Sequence, residues 1–220
     1  MKFRRSSRAD EAVDEASSEP AAQPATDPRT GPFDADDVAD DGLDRVDLGS
    51  LLIPPSEGRE LRLQVDERSQ QVQSVVLAGS DGALELRAFA APRHGDLWSD
   101  VRPQLAADMA RRGGTATEQE GRFGVELACR LTVKAPDGRT GEQPSRIVGV
   151  NGSRWMLRAT FLGQPAVDAE SARDWEDALA AVAVRRGDQA MPVGDPLPLV
   201  LPEQARRVTP PGASDADATP

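Results

Sequence analysis

The sequence predicts an α+β fold, an antiparallel sheet of about six strands with two helices. Three observations point there. Apolar and polar residues alternate with the period of a half-buried strand in several separate stretches. The period lengthens to the helical one twice, once midway and once near the end. Short glycine-bearing turns separate the strands, so neighbours run antiparallel. The order is three or four strands, a helix, three strands and a helix, which excludes a doubly wound parallel sheet.

Leu48, Leu51 and Ile53 predict a first strand that stops at Pro54-Pro55. Leu61, Leu63 and Val65 alternate with Arg62, Gln64 and Asp66, the pattern of a half-buried strand. Val72 to Ala78 is a second apolar run. Gly79-Ser80-Asp81-Gly82 then turns the chain, and Leu84, Leu86 and Ala88 continue the alternation. These three strands read as an antiparallel meander. Leu97, Val101, Leu105 and Met109 recur every four residues, the buried face of a helix. Asp96 or Ser99 is placed to cap it, and Gly113 suits its left-handed end. Pro103 predicts a kink unless it falls in the first turn.

Phe123, Val125, Leu127, Cys129, Leu131 and Val133 form one face of the clearest strand. Asp137-Gly138 turns into a returning strand over Arg146–Val150, and Asn151-Gly152 is the strongest hairpin signal in the chain. Trp155, Leu157, Ala159 and Phe161 make the next strand. Ser171 with Asp174 reads as a capping box for a last helix through Trp175, Ala178, Leu179 and Val182.

Charge divides the chain as periodicity does. The net charge is -11, and residues 1–47 carry 13 acids against 6 bases. Residues 48–187 are near neutral, with 19 acids and 18 bases. A nucleic-acid-binding domain carries a basic surplus on its fold, so DNA and RNA are not expected partners. Residues 1–43 hold hardly any large apolar side chain and are expected to be a disordered acidic tail. Residues 44–187 are the expected single domain. Residues 188–220 are Pro-rich and expected to be mostly disordered, with Leu197, Leu199 and Leu201 either an extended strip on the domain or loose chain.

No apolar run is long enough to span a membrane. The basic start, Met1 to Arg8, is followed by acids and not by the apolar run of a signal peptide. No membrane association is expected. Cys129 is the single cysteine, which excludes an internal disulfide and fits a reducing, cytoplasmic setting.

Few groups are placed for chemistry. His94, the single histidine, lies between a strand and a helix start, where Asp96 or Glu85 would orient it as a general base. The same position suits an ordinary surface loop. Cys129 falls in an apolar stripe and reads as packing. One Cys and one His make none of the usual zinc sets. No phosphate loop, nucleophile elbow or dinucleotide fingerprint occurs, so no cofactor is implied. Trp155 and Trp175 lie on apolar stripes and read as core. Trp98, near Arg93 and Arg102, is the aromatic best suited to a surface hot spot. Arg93, Arg102, Arg111, Arg112, Arg122 and Arg154 form either an anion-binding patch near the first helix or a solvated face.

Three stretches carry a family resemblance: Leu48 to Pro54, Arg87 to Trp98, and Arg154 to Ala159. They resemble a family of uncharacterised actinobacterial proteins known only as a domain of unknown function, over about residues 44–207. That resemblance implies no activity. The element order is also similar to the PsbP-like fold, which implies a binding or assembly role. The expected function is a non-enzymatic interaction or accessory module with a protein partner. The alternative is a small-ligand or anion-binding protein, or an enzyme, with its site at Arg93, His94, Asp96, Trp98 and Arg102.

Overall fold

The computed structural model describes residues 31–134, 138 and 140–202. The first strands are β1 (Phe33–Asp34), β2 (Val46–Asp47) and β3 (Leu51–Ile53). The meander follows as β4 (Glu60–Val65), β5 (Val72–Ala78) and β6 (Gly82–Ala90), and then helix α1 (Leu97–Arg111). Next come β7 (Thr115–Gly121), β8 (Gly124–Lys134), β9 (Thr140–Asn151) and β10 (Trp155–Gly163). Helix α2 (Ala169–Ala180) and β11 (Ala183–Val184) close the series.

Seven strands form the main sheet, in the order β4-β5-β6-β10-β9-β8-β7, and every pairing within it is antiparallel. The α+β expectation is borne out, and the main sheet has one strand that the sequence does not predict. The extra strand is β7, whose sequence TATEQEG has no apolar stripe. It sits at a sheet edge, where a polar strand is tolerated and discourages pairing with another chain. A second sheet, β1-β11-β3-β2, is made of strands of two or three residues. Of these, β3 falls in the strand expected from Leu48, Leu51 and Ile53, and the other three, of two residues each, are too short to leave a period in the sequence.

Each face of the main sheet has its own core. On one face Leu84, Leu86, Leu157, Ala159 and Phe161 pack with Trp175 and Leu179 of α2 and with Leu51 and Ile53 of the small sheet. On the other, Leu127, Cys129, Ile147 and Met156 pack with Leu97, Trp98 and Met109 of α1. Helix α1 packs chiefly on β7, β8 and β9. Among the described residues, no helix packs on that same face across β4, β5 and β6.

One local expectation is corrected. The cap of α2 is Asp168, whose side chain accepts from Ser171 N, so Ser171 lies inside the helix and not at its head. Asn151-Gly152 turns the chain as expected, and Arg154 in that turn has a positive φ of 63°. Gly152 is needed for space, because a Cβ there would collide with the Trp155 indole. Pro103 lies beyond the first turn of α1, yet the helix is continuous through it. Its missing N–H leaves the Ser99 carbonyl without the usual i+4 partner. The turn residue Asp137 lies outside the described residues.

The folded chain extends past both expected edges. Before residue 44, Phe33 N donates to Val182 O at 3.0 Å, and Asp34 Oδ1 accepts from Trp155 Nε1 at 2.6 Å. After residue 187, the chain runs as an extended strip. Leu197 is buried, and its N donates to Ala88 O at 2.9 Å. Gly194 N donates to Ala90 O, and Ala90 N to Asp195 O, both at 2.8 Å. Further on, Ser50 N donates to Pro198 O at 3.2 Å and Val200 N to Leu48 O at 2.9 Å. The pairing of β5 with β6 ends at Val75↔Leu86, and the strip takes over the edge of β6 beyond it. It thereby ties the main sheet to the small one.

Candidate functional site

The residues singled out from the sequence do not converge. Asp96 is the N-cap of α1: it accepts from Ser99 N at 3.0 Å, from the Ser99 hydroxyl, and from Asn151 Nδ2 at 2.6 Å. Partial burial opposes its ionisation, but these hydrogen bonds outweigh it and hold the carboxyl below the ordinary aspartate value of 3.8. Trp98 is 4% exposed and donates its indole N–H to Val125 O at 2.6 Å. Its ring lies on Gly149, where a Cβ would collide with it. The expectation of Trp98 as a surface anchor is therefore corrected; it is a core residue.

Arg102 Nε donates to Glu118 Oε1 at 2.8 Å. Arg93 and His94 are exposed and make no side-chain hydrogen bond among the described residues. Of the wider arginine group, Arg111 pairs with Asp108, and Arg122 with Asp177 at 2.5 Å. Cys129 is buried, and burial pushes its thiol pKa up, away from the reactive thiolate.

Two other arginine systems, one on each face of the sheet, hold the more unusual geometry. Facing α2, Arg146 of β9 donates through Nη1 to Glu176 Oε1 at 2.7 Å and to both oxygens of Glu126 at 3.3 Å. Glu126 is 1% exposed and also accepts from Gln119 Nε2 at 2.8 Å. The Arg146 guanidinium lies 4.3 Å from the Phe161 ring centre. This cluster joins α2 to β8 and β9. It lines a cleft of about 360 Å³ whose walls mix Glu120, Glu126 and Glu176 with Arg122, Arg146 and Arg173.

On the opposite face, Arg87 of β6 and Arg158 of β10 stand directly across from each other. Both guanidiniums lie over Phe89, at 5.9 and 5.2 Å from its ring centre. All three are half-buried. Neither arginine forms a hydrogen bond or ion pair among the described residues, and the Arg87 Nε is buried without a partner. Arg158 is held below the ordinary arginine pKa first by burial and then by repulsion from Arg87, with Glu85 acting in the other direction. Like charges directly opposite in a sheet are destabilising, so this pair is not explained by stability.

Sequence reasoning passed over these residues because it followed the buried faces of the strands. Arg87, Phe89 and Arg158 belong to the alternate faces. One signal was present: Phe89 is a large apolar residue on the side of β6 opposite Leu84, Leu86 and Ala88.

A family described as protein of unknown function (DUF3710) matches residues 31–208. The chain belongs to this family. The expected membership in a family of unknown function is borne out, and the match spans the folded chain described above. Among solved structures, the chain is similar to a protein of Bacteroides thetaiotaomicron at 13% identity and TM-score 0.37, covering 64% of this chain and 47% of that one. It thus spans about half the length of that protein. It is also similar to cyanobacterial PsbP from Synechocystis, at 14% identity and TM-score 0.36, covering 64% of this chain and 92% of that one. No curated protein matches it. Among the described residues, no helix is long and apolar enough to cross a membrane.

Proposed function

We propose that this protein is a non-enzymatic accessory module that holds a protein partner on the sheet face carrying Arg87, Phe89 and Arg158. The observation behind this reading is the pair of half-buried, unpaired arginines over one aromatic ring. Arginine and aromatic residues are enriched at the centres of protein interfaces. Arg87 and Arg158 cost stability where they stand, and a binding role gives a reason for that cost. A reducing, cytoplasmic setting suits the single buried thiol of Cys129.

A site around His94, for a small ligand or for catalysis, has less support. The imidazole is exposed, and its neighbours Asp96 and Arg102 are committed to Ser99, Asn151 and Glu118. The test of the main reading is affinity capture of the full chain from its native host under gentle crosslinking. A reproducible partner protein is expected, and it is lost with the double variant Arg87→Glu, Arg158→Glu. Recovery of no partner, or undiminished recovery with that variant, contradicts the reading.

A further inference from the structure

The sheet forks beside Arg87. There β5 leaves β6, and the C-terminal strip takes its place. A cavity of about 90 Å³ lies in the fork, walled by Gln71, Gln73, Arg87, Pro196, Leu197 and Leu199. The residues that line it with polar side chains are Gln71, Gln73 and Arg87, and none of its lining residues is a carboxylate. All three polar groups carry N–H donors. The volume is well below the ~300–1,000 Å³ of a usual small-molecule pocket, so the cavity suits one small polar group and not a cofactor.

We propose that this cavity receives a carboxylate from an acidic segment of the partner protein, held by Arg87, with Arg158 as the adjoining positive charge. The inference rests on the interaction reading above and names the chemistry of the partner. A guanidinium matches a carboxylate through two parallel N–H donors, and Arg87 has no such acceptor within the fold. An anion in the fork, on the side of Arg87 away from β10, also offsets the repulsion that Arg87 exerts on Arg158. The cleft beside α2 differs, because four acids, Glu120, Glu126, Asp168 and Glu176, share its walls with three arginines. Arg146 already meets Glu126 and Glu176 there, although its Nε and Nη2 are buried without a partner. The chain carries a net charge of -11, so an acidic peptide is repelled at long range. Any binding of such a peptide has to be local.

The test titrates the full chain into fluorescein-labelled hexaglutamate at low ionic strength and follows anisotropy. Saturable binding is expected, weakened about tenfold or more by Arg87→Gln, in line with loss of a charge-assisted bidentate contact. Arg158→Gln is expected to weaken it as well, and Arg173→Gln, in the other cleft, to leave it unchanged. Arg87→Lys keeps the charge but not the fork and restores only part of the affinity. Circular dichroism verifies the fold of each variant, and Arg158→Gln carries the test should Arg87→Gln misfold. Absence of saturable binding, or equal loss with Arg173→Gln, overturns the proposal. So does binding of inorganic phosphate at Arg87 without binding of the peptide. If host capture still depends on Arg87 and Arg158 while hexaglutamate does not bind, the interaction reading stands and the carboxylate assignment fails.

Discussion

Arg146 and the pair Arg87 and Arg158 occupy opposite faces of one sheet and solve opposite problems. Arg146 meets two carboxylates, one of them fully buried, and its guanidinium rests on Phe161. Arg87 and Arg158 meet each other and share Phe89. The first arrangement neutralises charge that packing has taken out of water. The second sets two like charges side by side, with Glu85 near Arg158 but no ion pair formed among the described residues. The difference teaches that an arginine stacked on a ring is not by itself a functional signal. What separates the two cases is the carboxylate partner: Arg146 has two through its Nη1, although its Nε and Nη2 stay buried without a partner, and Arg87 and Arg158 form no ion pair among the described residues.

The largest expected effect falls on the paired side. Arg146→Leu strands Glu126 without its countercharge and costs about 3–5 kcal/mol in urea unfolding. A loss below about 1 kcal/mol would erase the distinction between the two faces. Next in size is Leu197→Ala, which removes a buried anchor of the strip and costs about 2–4 kcal/mol. An unchanged midpoint for this variant would show that the strip is not part of the folded unit and that the wall beside Arg87 is not fixed.

Smaller still is the effect of the helix caps that hold α1 and α2 to their respective faces. The carboxyls of Asp96 and Asp168 both lie below the ordinary value of 3.8, so their contribution is complete above that value and fades as pH falls through the lower folded one. Stability should drop on acidification below pH 3.8, and Asp96→Asn should flatten that drop while costing less than an alanine at the same cap. A variant with the full acid sensitivity of the parent would show that Asp96 does not contribute to it. The smallest change belongs to Arg158→Leu, expected within about 0.5 kcal/mol of the parent or slightly more stable, because repulsion is removed along with the charge.

The sequence made the packed parts legible and left the rest dark, for physical reasons. Strands with one buried face, such as β6, β8 and β10, leave a period of two, and those elements were found. β7 has no apolar stripe and was missed. β1, β2 and β11 are too short to have a period at all. The caps show how local rules mislead: Ser171 and Asp174 match a capping box, yet Asp168, three residues earlier, does the capping. Leu197, Leu199 and Leu201 leave two fates open, because Leu alternating with Pro and Val fits both an extended strip on the domain and loose chain. Trp98 begins a helix beside arginines, a position that suits a surface anchor as well as the core, and the bare Gly149 of β9 beneath it reveals the slot that buries it. Arg87 and Arg158 were invisible as a pair until the register of β6 and β10 placed them face to face.

The account turns on the sign of two side-chain couplings, and paired double-mutant cycles measure both. The cycle through Arg146 and Glu176 should return a favourable coupling. The cycle through Arg87 and Arg158 should return an unfavourable one, of about 0.2–1 kcal/mol, that shrinks as salt is added. A favourable coupling between Arg87 and Arg158 would mean that the fold itself holds them together, and the case for a binding surface on that face would be lost.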